Sequence, residues 1–179
     1  MDKDQKHQII AGDKKSFQEL YHEHISSALR TAKAITKNEE IAKDAVQEAF
    51  IRVYKNLADF DESKNFLPWF YRILTNECNR LMKKEAKIFS LNTPLEDKEY
   101  MIADTPGENY SELYEAIQSL KDIYRIPIIL KYLQGFSEKE IAEILELKHN
   151  TVKTRLLNGR KALKRVLDSS NEGGTQYGS

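Results

Sequence analysis

The residues best suited to a chemical role are the basic side chains of residues 148–165. Seven Lys or Arg residues lie in this segment, and it contains no acid. Apolar residues recur through it at helical spacing, so one side of a helix would be buried while the other side carried only positive charge. Such a helix suits a polyanion, and we predict that it binds duplex DNA. A basic helix face that merely faces water is the alternative interpretation.

A shorter helix is predicted just before this segment. Ser137 can cap it, and Glu140 stands at the capping-box position. Its apolar face consists of Ile141, Ile144 and Leu145. After a break at residues 147–149, Asn150 can cap the second helix. The inner side of that helix is predicted to contain Val152, Leu156, Leu157, Leu163 and Leu167. The pattern predicts a helix-turn-helix over residues 137–160, with the second helix in a major groove.

The overall charge is balanced, but it is segregated along the chain. The protein contains 28 basic and 28 acidic residues, so it is not a general binder of polyanions. Residues 39–62 hold seven acids and three bases, whereas residues 72–87 hold five bases and two acids. Such asymmetry indicates that different faces meet different partners.

The sequence offers little support for catalysis or metal binding. Cys78 is the only cysteine, which excludes an intramolecular disulfide and a thiolate metal cluster. His22 and His24 are two residues apart and would point to different sides of a helix. There is no glycine-rich phosphate loop. We therefore expect no enzymatic activity, metal, cofactor or small-molecule substrate. The sequence also has no membrane-spanning apolar run and no signal peptide, so a cytoplasmic location is expected.

Helical periodicity and few glycines or prolines predict an all-α fold. Asp13 can cap a first helix, a second apolar pattern ends near Asn38, and further helices are predicted at about 39–57 and 68–87. Residues 90–109 lack periodicity and contain Pro94, Pro106 and Gly107. We predict two small helical domains, 1–88 and 110–168, joined by a flexible linker at 89–109 and followed by a disordered tail at 169–179.

The segment from 65 to 84 combines aromatic, amide and basic side chains. Its apolar stripe contains Phe66, Trp69, Phe70, Ile73 and Leu74, and its polar side contains Asn76, Asn79, Arg80, Lys83 and Lys84. Aromatic rings can stack on unpaired bases while cations contact phosphates, so the segment fits single-stranded nucleic acid. Aromatic residues at helical spacing also fit a hydrophobic core, and this interpretation is stronger for Phe70 and Ile73 than for Trp69.

Five motifs in order resemble one known family. They are GDKKSFQELY at 12–21, AKDAVQEAF at 42–50, FLPWFYRI at 66–73 followed by Asn76, GFSEKEIA at 135–142 and TVKTR at 151–155. In this order the sequence closely resembles the extracytoplasmic-function (ECF) subfamily of bacterial sigma-70-type sigma factors. The resemblance covers about residues 9–167. It implies a subunit that binds core RNA polymerase, directs promoter-specific initiation and is controlled by an anti-sigma factor, which can itself be membrane-bound.

The resemblance also implies roles for individual residues. Core polymerase would be bound, through the clamp helices of its largest subunit, by Asp44, Gln47, Glu48 and Ile51. The flap of the second subunit is a further expected partner. The −10 element, whose base is captured by the loop at 58–65, would be contacted by Asp61, Ser63, Lys64, Asn65, Phe66, Trp69, Arg72, Asn76, Asn79, Arg80 and Lys83.

The −35 element would be read by the helix-turn-helix. The implied contacts are Asn150, Thr151, Lys153, Thr154, Arg155, Arg160 and Lys161, with Arg155 or Lys153 on guanine and the last two on phosphate. Promoter DNA would thus be bound both as duplex and as opened strand. The nearest alternative is a helix-turn-helix regulator that acts without being a polymerase subunit. It would explain residues 111–167 but not the motifs at 42–50 and 66–76.

Overall fold

The computed structural model describes residues 1, 3–92 and 108–173, and every regular element in these ranges is a helix. The helices are α1 (Lys3–Ile10), α2 (Lys14–Thr36), α3 (Glu39–Asn56), α4 (Phe66–Asn92), α5 (Glu108–Ser119), α6 (Asp122–Tyr132), α7 (Glu138–Leu145) and α8 (His149–Gly173), with a 3₁₀ turn at Leu57–Asp59. One compact unit contains α1–α4, and a second contains α5, α6 and α8. The predicted all-α fold with two domains is therefore confirmed.

Helix α2 is one continuous helix where the sequence suggested two. Its start is as predicted, because the Asp13 carboxylate accepts hydrogen bonds from the backbone N–H groups of Lys15 and Ser16 at 3.3 and 3.1 Å. The Ser16 hydroxyl also donates to this carboxylate at 2.5 Å and is the main reason why the pKa of Asp13 is below its usual value, with the backbone bonds adding to the effect. The helix ends at Lys37 in the left-handed conformation, and Asn38 then caps α3. Nothing between residues 21 and 25 breaks the helix, so the division was wrong.

Helix α1 was not predicted. Most of its eight residues are polar, and only Lys6 and Ile9 are buried. A buried lysine cannot be recognised from apolar periodicity, which explains why the pattern was missed.

The core of the N-terminal unit lies where α2, α3 and α4 meet. Phe70 is fully buried there and packs against Phe50, with ring centroids 5.1 Å apart. Apolar residues at helical spacing predict that one side of α3 faces inward, namely Ile41, Ala45, Ala49, Phe50, Val53 and Leu57. All of them are buried except Ile41, which is partly exposed. Tyr71 joins α4 to α2 through its hydroxyl, 3.0 Å from the Ser27 hydroxyl. Burial of this aromatic stripe fixes the rotation of α4 about its own axis.

Three helix ends extend beyond the predicted boundaries. Helix α4 continues to Asn92 rather than to Lys87, and α5 begins at Glu108. Helix α8 runs to Gly173, five residues into the predicted disordered tail. The rest of the predicted linker and tail, residues 93–107 and 174–179, lies outside the described residues. None of the described helices is both long and apolar enough to span a bilayer.

Helices α6 and α8 approach closely at Gly159. A Cβ atom built on this glycine would lie 3.1 Å from Ile128 Cγ1 and 3.4 Å from Tyr124 Cβ. Gly159 is buried in α8, and Ile128 is 1% exposed. The absence of a side chain at residue 159 therefore allows the two helices to pack together.

We predict that Gly159→Leu lowers the free energy of unfolding by roughly 2 kcal/mol or more, because the new side chain must push α6 away from α8. Lys164→Leu is the control, since Lys164 is exposed on the same helix. Urea denaturation of both variants gives the comparison. A Gly159→Leu protein as stable as the control would contradict close packing at this position.

Candidate nucleic-acid interface

Trp69 stands at the edge of an aromatic cluster formed by Phe60, Phe66, Trp69 and Phe70. The Trp69 ring centroid lies 4.8 Å from that of Phe60 and 5.9 Å from that of Phe66. Phe66 in turn stacks on Phe70, with centroids 5.9 Å apart and planes at 10°. Trp69 is partly exposed, whereas the other three rings are buried. The cluster thus holds one large ring at the surface in a fixed place.

Phe66 is buried rather than available to DNA. The sequence assigned it to −10 contact, but only 6% of the residue is exposed. Its ring faces Phe60, Trp69 and Phe70. We therefore correct its role to that of a support for Trp69. Because Phe66 and Trp69 are three residues apart, they share a face of α4, and periodicity alone could not separate them.

The loop at 58–65 lies next to Trp69 and presents polar side chains to solvent. Asp61 shapes it, since its carboxylate accepts hydrogen bonds from the Ser63 N–H at 3.0 Å and from the Ser63 hydroxyl at 2.7 Å. The hydroxyl bond is the main reason why the pKa of Asp61 is below its usual value. Lys64 and Asn65 are exposed beside them. Four of the predicted −10 residues therefore occupy one exposed turn.

The predicted polar residues of α4 are unequally exposed. Asn76, Arg80 and Lys83 are exposed, while Arg72 and Asn79 are partly exposed. Arg80 is held by the buried carboxylate of Glu77, which accepts bonds from Arg80 Nε and one terminal nitrogen, each at 2.7 Å. Arg52 Nε of α3 lies 2.6 Å from the same carboxylate. Glu77 thus orients Arg80 and joins α3 to α4, a contact that the sequence analysis missed.

The residues predicted to bind core polymerase share one face of α3. Asp44, Gln47 and Ile51 are exposed, and Glu48 is partly exposed. Beside Gln47 and Ile51 lies an apolar groove between α2 and α3, whose walls include Phe17, Tyr21, Ile25, Val46, Phe50 and Tyr54. Tyr54, 52% exposed, contacts Phe17 edge-on at a centroid distance of 5.0 Å.

The groove was not predicted from the sequence, although Phe17 and Tyr21 recur there at helical spacing. Their spacing at i and i+4 is equally compatible with a buried face and with a surface groove. Lysines at the margin are Lys14, Lys43 and Lys55. Lys43 bonds Glu39 at 2.8 Å, and this contact lowers the pKa of the Glu39 carboxyl and raises the pKa of Lys43. The groove offers an apolar floor and a cationic margin to a partner.

The helix-turn-helix is built largely as predicted. The capping box is formed, because Ser137 Oγ accepts from the Glu140 N–H at 3.2 Å and Glu140 accepts from the Ser137 N–H at 2.8 Å. The connection occupies residues 146–148, with Glu146 in the left-handed conformation at φ 53°. His149 Nε2 lies 3.5 Å from the Glu138 carboxylate and links the starts of the two helices.

Two details of the second helix were wrong. Helix α8 begins at His149, and the Lys148 carbonyl accepts from the N–H groups of Thr151 and Val152, so Asn150 does not cap it. Asn150 instead lies exposed in the first turn. Leu157, predicted to face inward, is 46% exposed, whereas Val152 and Leu156 are buried. Adjacent leucines at 156 and 157 are 100° apart on a helix, and only one fits the inner stripe.

The predicted −35 residues lie along the outer side of α8. Asn150, Lys153, Thr154, Arg160 and Lys161 are exposed, and Thr151 and Arg155 are partly exposed. The Thr154 hydroxyl donates to the Asn150 carbonyl at 3.0 Å. The described structure therefore presents amide, hydroxyl and cationic groups near the start of the helix, which suits contact with base edges.

Cys78, His22 and His24 lie in different surroundings. Cys78 is fully buried, and burial raises the pKa of its thiol to about 12. His22 is exposed and His24 partly buried, so they point apart as predicted. Among the described residues, no group of three or more His, Cys, Asp or Glu side chains could hold a metal ion.

Comparison with known proteins identifies both units. The family model for sigma-70 region 2 matches residues 20–88, and the model for sigma-70 region 4 matches residues 110–163. The chain is thus built from the two regions of a sigma-70-type transcription factor. It is also 32% identical over 174 residues to the ECF RNA polymerase sigma factor SigW of Bacillus subtilis (strain 168), covering 89% of this chain and 93% of that protein. The chain belongs to the ECF RNA polymerase sigma factors.

Other relatives agree with this family. The ECF RNA polymerase sigma factor SigM of Mycobacterium tuberculosis (strain ATCC 25618 / H37Rv) is 29% identical over 167 residues, covering 92% of this chain and 83% of that protein. The fold also resembles a chain from the co-crystal structure of the sigma factor RpoE with the anti-sigma factor NepR from Bartonella quintana. The TM-score is 0.72 at 22% identity, covering 86% of this chain and 98% of that chain.

His24 provides a pH test of the aromatic cluster. Its ring lies 5.6 Å from that of Phe66 and 6.1 Å from that of Phe70, and burial lowers its pKa although Glu23 opposes the shift. A histidine with a lowered folded-state pKa binds protons more weakly than in the unfolded chain. Its contribution to stability is therefore fully present above the unfolded pKa of about 6.5 and is lost as the pH falls towards the folded value.

We predict that the melting temperature falls between pH 7.5 and about 5.5, and that His24→Phe reduces this fall. His22→Phe is the matched control, because His22 is exposed two residues away. Thermal denaturation followed by circular dichroism across the pH range measures the difference. Equal pH dependence of the two variants would show that His24 is not the group responsible.

Proposed function

We propose that the N-terminal unit opens the −10 element of a promoter and captures its unpaired strand. The observation that carries this proposal is the position of Trp69, partly exposed at the edge of the aromatic cluster and beside the polar loop at 58–65. An extruded base would be stabilised by stacking on Trp69 and by hydrogen bonds to the loop residues Asp61, Ser63, Lys64 and Asn65. Arg72, Asn76, Asn79, Arg80 and Lys83 would follow the strand along α4.

Strand opening in this scheme uses binding energy alone. Removing a base from the stack costs a few kcal/mol of free energy. Binding in a prearranged pocket offsets this cost only for a base that fits the pocket. Recognition and opening are therefore the same event, and no catalytic residue is required. Arg80, held by Glu77, would be oriented before DNA arrives, which reduces the entropy lost on binding.

Core polymerase would dock on the α3 face of Asp44, Gln47, Glu48 and Ile51 together with the neighbouring groove. The acids suit the encounter with a basic surface, and the groove walls can bury apolar side chains of the partner. We propose the clamp helices of the largest subunit as this partner. The flap of the second subunit is proposed for the C-terminal unit, whose α8 would read the −35 element through Asn150, Thr151, Lys153, Thr154 and Arg155, with Arg160 and Lys161 on phosphates.

Control by an anti-sigma factor is the proposed mode of regulation. The solved complex from Bartonella quintana pairs a sigma factor with the anti-sigma factor NepR. Another similar chain, with TM-score 0.71 and 23% identity over 94% of this chain and 97% of that chain, comes from the structure of CnrH in complex with the cytosolic domain of CnrY. We propose that this protein acts in the cytoplasm without enzymatic activity. An anti-sigma partner could hold it at the membrane.

Run-off transcription tests the proposal directly. Purified bacterial core polymerase is incubated with and without this protein on a library of genomic promoters. New start sites that depend on the protein, with shared −35 and −10 sequences, are expected. Duplex binding by the protein alone together with an absence of dependent transcripts would instead indicate an ordinary helix-turn-helix regulator.

We predict that Trp69→Ala reduces open-complex formation by roughly tenfold or more, since stacking on one base contributes about 1–3 kcal/mol. Core binding should change by less than about twofold, because Trp69 lies on α4 and not on the α3 face. Permanganate footprinting and fluorescence titration measure the two quantities. Ile88→Ala, at an exposed apolar position of α4 outside the aromatic cluster, is the control. Equal losses of opening and core binding would contradict the assigned role.

For the second helix of the helix-turn-helix, Arg155→Ala is expected to weaken −35-dependent recruitment by about 1–3 kcal/mol if Arg155 contacts a base. It should also reduce discrimination at one base pair. Lys161→Ala, at an exposed cation proposed to contact phosphate, should weaken binding equally across sequences. Gel-shift titration of holoenzyme on −35 variants separates the two behaviours. Unchanged discrimination by Arg155→Ala would remove this residue from the base contacts.

A further inference from the structure

Helix α1 contacts the loop at 58–65 through a buried lysine. Only 5% of Lys6 is exposed. Its ammonium donates to the Phe60 carbonyl at 2.6 Å and lies 3.3 Å from Glu62 Oε1. It also stands 5.7 Å from the centroid of the Phe60 ring. A buried cation is unfavourable unless it is paired and hydrogen-bonded, and here all of these partners belong to one loop.

The Glu62 carboxylate lies near three basic side chains of α1. It is 3.6 Å from Lys3 Nζ and 3.7 Å from His7 Nε2, in addition to Lys6. The hydrogen bond from Lys6 is the main reason why the pKa of Glu62 is below its usual value. Glu62 is partly buried while its neighbours Asp61 and Ser63 are exposed. Attachment to α1 therefore turns Glu62 inward and the two adjacent side chains outward.

Phe60 connects Lys6 to the aromatic cluster. Its carbonyl and ring meet Lys6, and its ring supports Trp69 at 4.8 Å. The buried Lys6 ammonium thus contacts Phe60. This residue precedes Asp61 in the chain, and its ring packs on Trp69. Helix α1 lies outside residues 20–88, the range matched by the region 2 model. Phe60 and Glu62 lie within that range, so the attachment joins α1 to a loop of the matched region.

We propose that α1 acts as a strap on the loop at 58–65, with Lys6 as the positioning residue that sets how selectively the loop reads the −10 base. The inference rests on the proposed −10 function of that loop. Lys6 itself need not contact DNA, because it is buried beneath the exposed turn. Loss of its two anchors would leave the loop in several conformations, of which few would fit the extruded base.

Lys6→Met tests this role, because methionine keeps most of the length and removes both the hydrogen bond and the ion pair. Lys3→Met is the matched control: it removes the same charge from the same helix and also faces Glu62, but Lys3 is 72% exposed. Each full-length variant is assembled with core polymerase. Open-complex formation is then measured on promoters that carry each of the four bases at the captured −10 position.

We expect Lys6→Met to lower the preference for the cognate base by about tenfold, the scale of one hydrogen bond to a charged group. Lys3→Met should keep the wild-type preference, and core binding should change by less than about twofold for both. Trypsin cleavage after the exposed Lys64 should become faster in Lys6→Met than in Lys3→Met. A folded Lys6→Met protein with wild-type preference overturns the inference, as does equal loss in both variants.

Folding is checked by circular dichroism before these comparisons. If Lys6→Met does not fold, Glu62→Gln decides, because it removes the ion pairs and leaves the Lys6 bond to Phe60. A reduced base preference in Glu62→Gln then supports the strap, and an unchanged preference overturns it. If the wild-type holoenzyme shows no base preference at any −10 position, the proposed function fails first and the inference fails with it.

Discussion

Burial of Phe70 is the constraint on which the N-terminal unit depends. This ring is fully buried between Phe50 of α3 and Phe66 on its own helix, and it contacts His24 of α2 as well. A helix that must bury this ring has one allowed rotation about its axis, so the core also decides which α4 residues reach solvent. Asn76, Arg80 and Lys83 are exposed for this reason. Packing of the core therefore fixes which side chains of α4 are available to a partner.

Features with a local physical signal could be predicted from the sequence. The Ser137 capping box, the Asp13 cap and the inner stripe of α3 each depend on residues within one or two turns, and all three appear in the structure. The segregation of acidic and basic residues could also be predicted from the sequence. Acids on α3 and bases on α8 are exposed because apolar residues at helical spacing occupy the opposite faces.

Features that depend on distant contacts could not be predicted. The ion pair between the buried Glu77 carboxylate and Arg52 joins two helices, and the Lys6 bond to Phe60 spans 54 residues. Phe66 and Leu157 show the same limit at single positions. Helical spacing indicates the direction in which a side chain points, but not which residues pack against it. The α2/α3 groove was missed for this reason, since Phe17 and Tyr21 would show the same spacing if a further helix covered them.

The contact between α1 and the loop at 58–65 affects the conformational entropy that the loop would lose on binding DNA. Residues 58–65 contain the end of one 3₁₀ turn and few apolar side chains, so the loop has little packing of its own to hold one conformation. Ordering it only when DNA binds would subtract the lost conformational entropy from the binding free energy. Lys6 and Glu62 order it beforehand, and the favourable pairing of a buried cation stabilises both the strap and the loop. Preorganisation of this kind leaves more of the binding energy to oppose base stacking, which is the step that a strand-opening protein has to overcome.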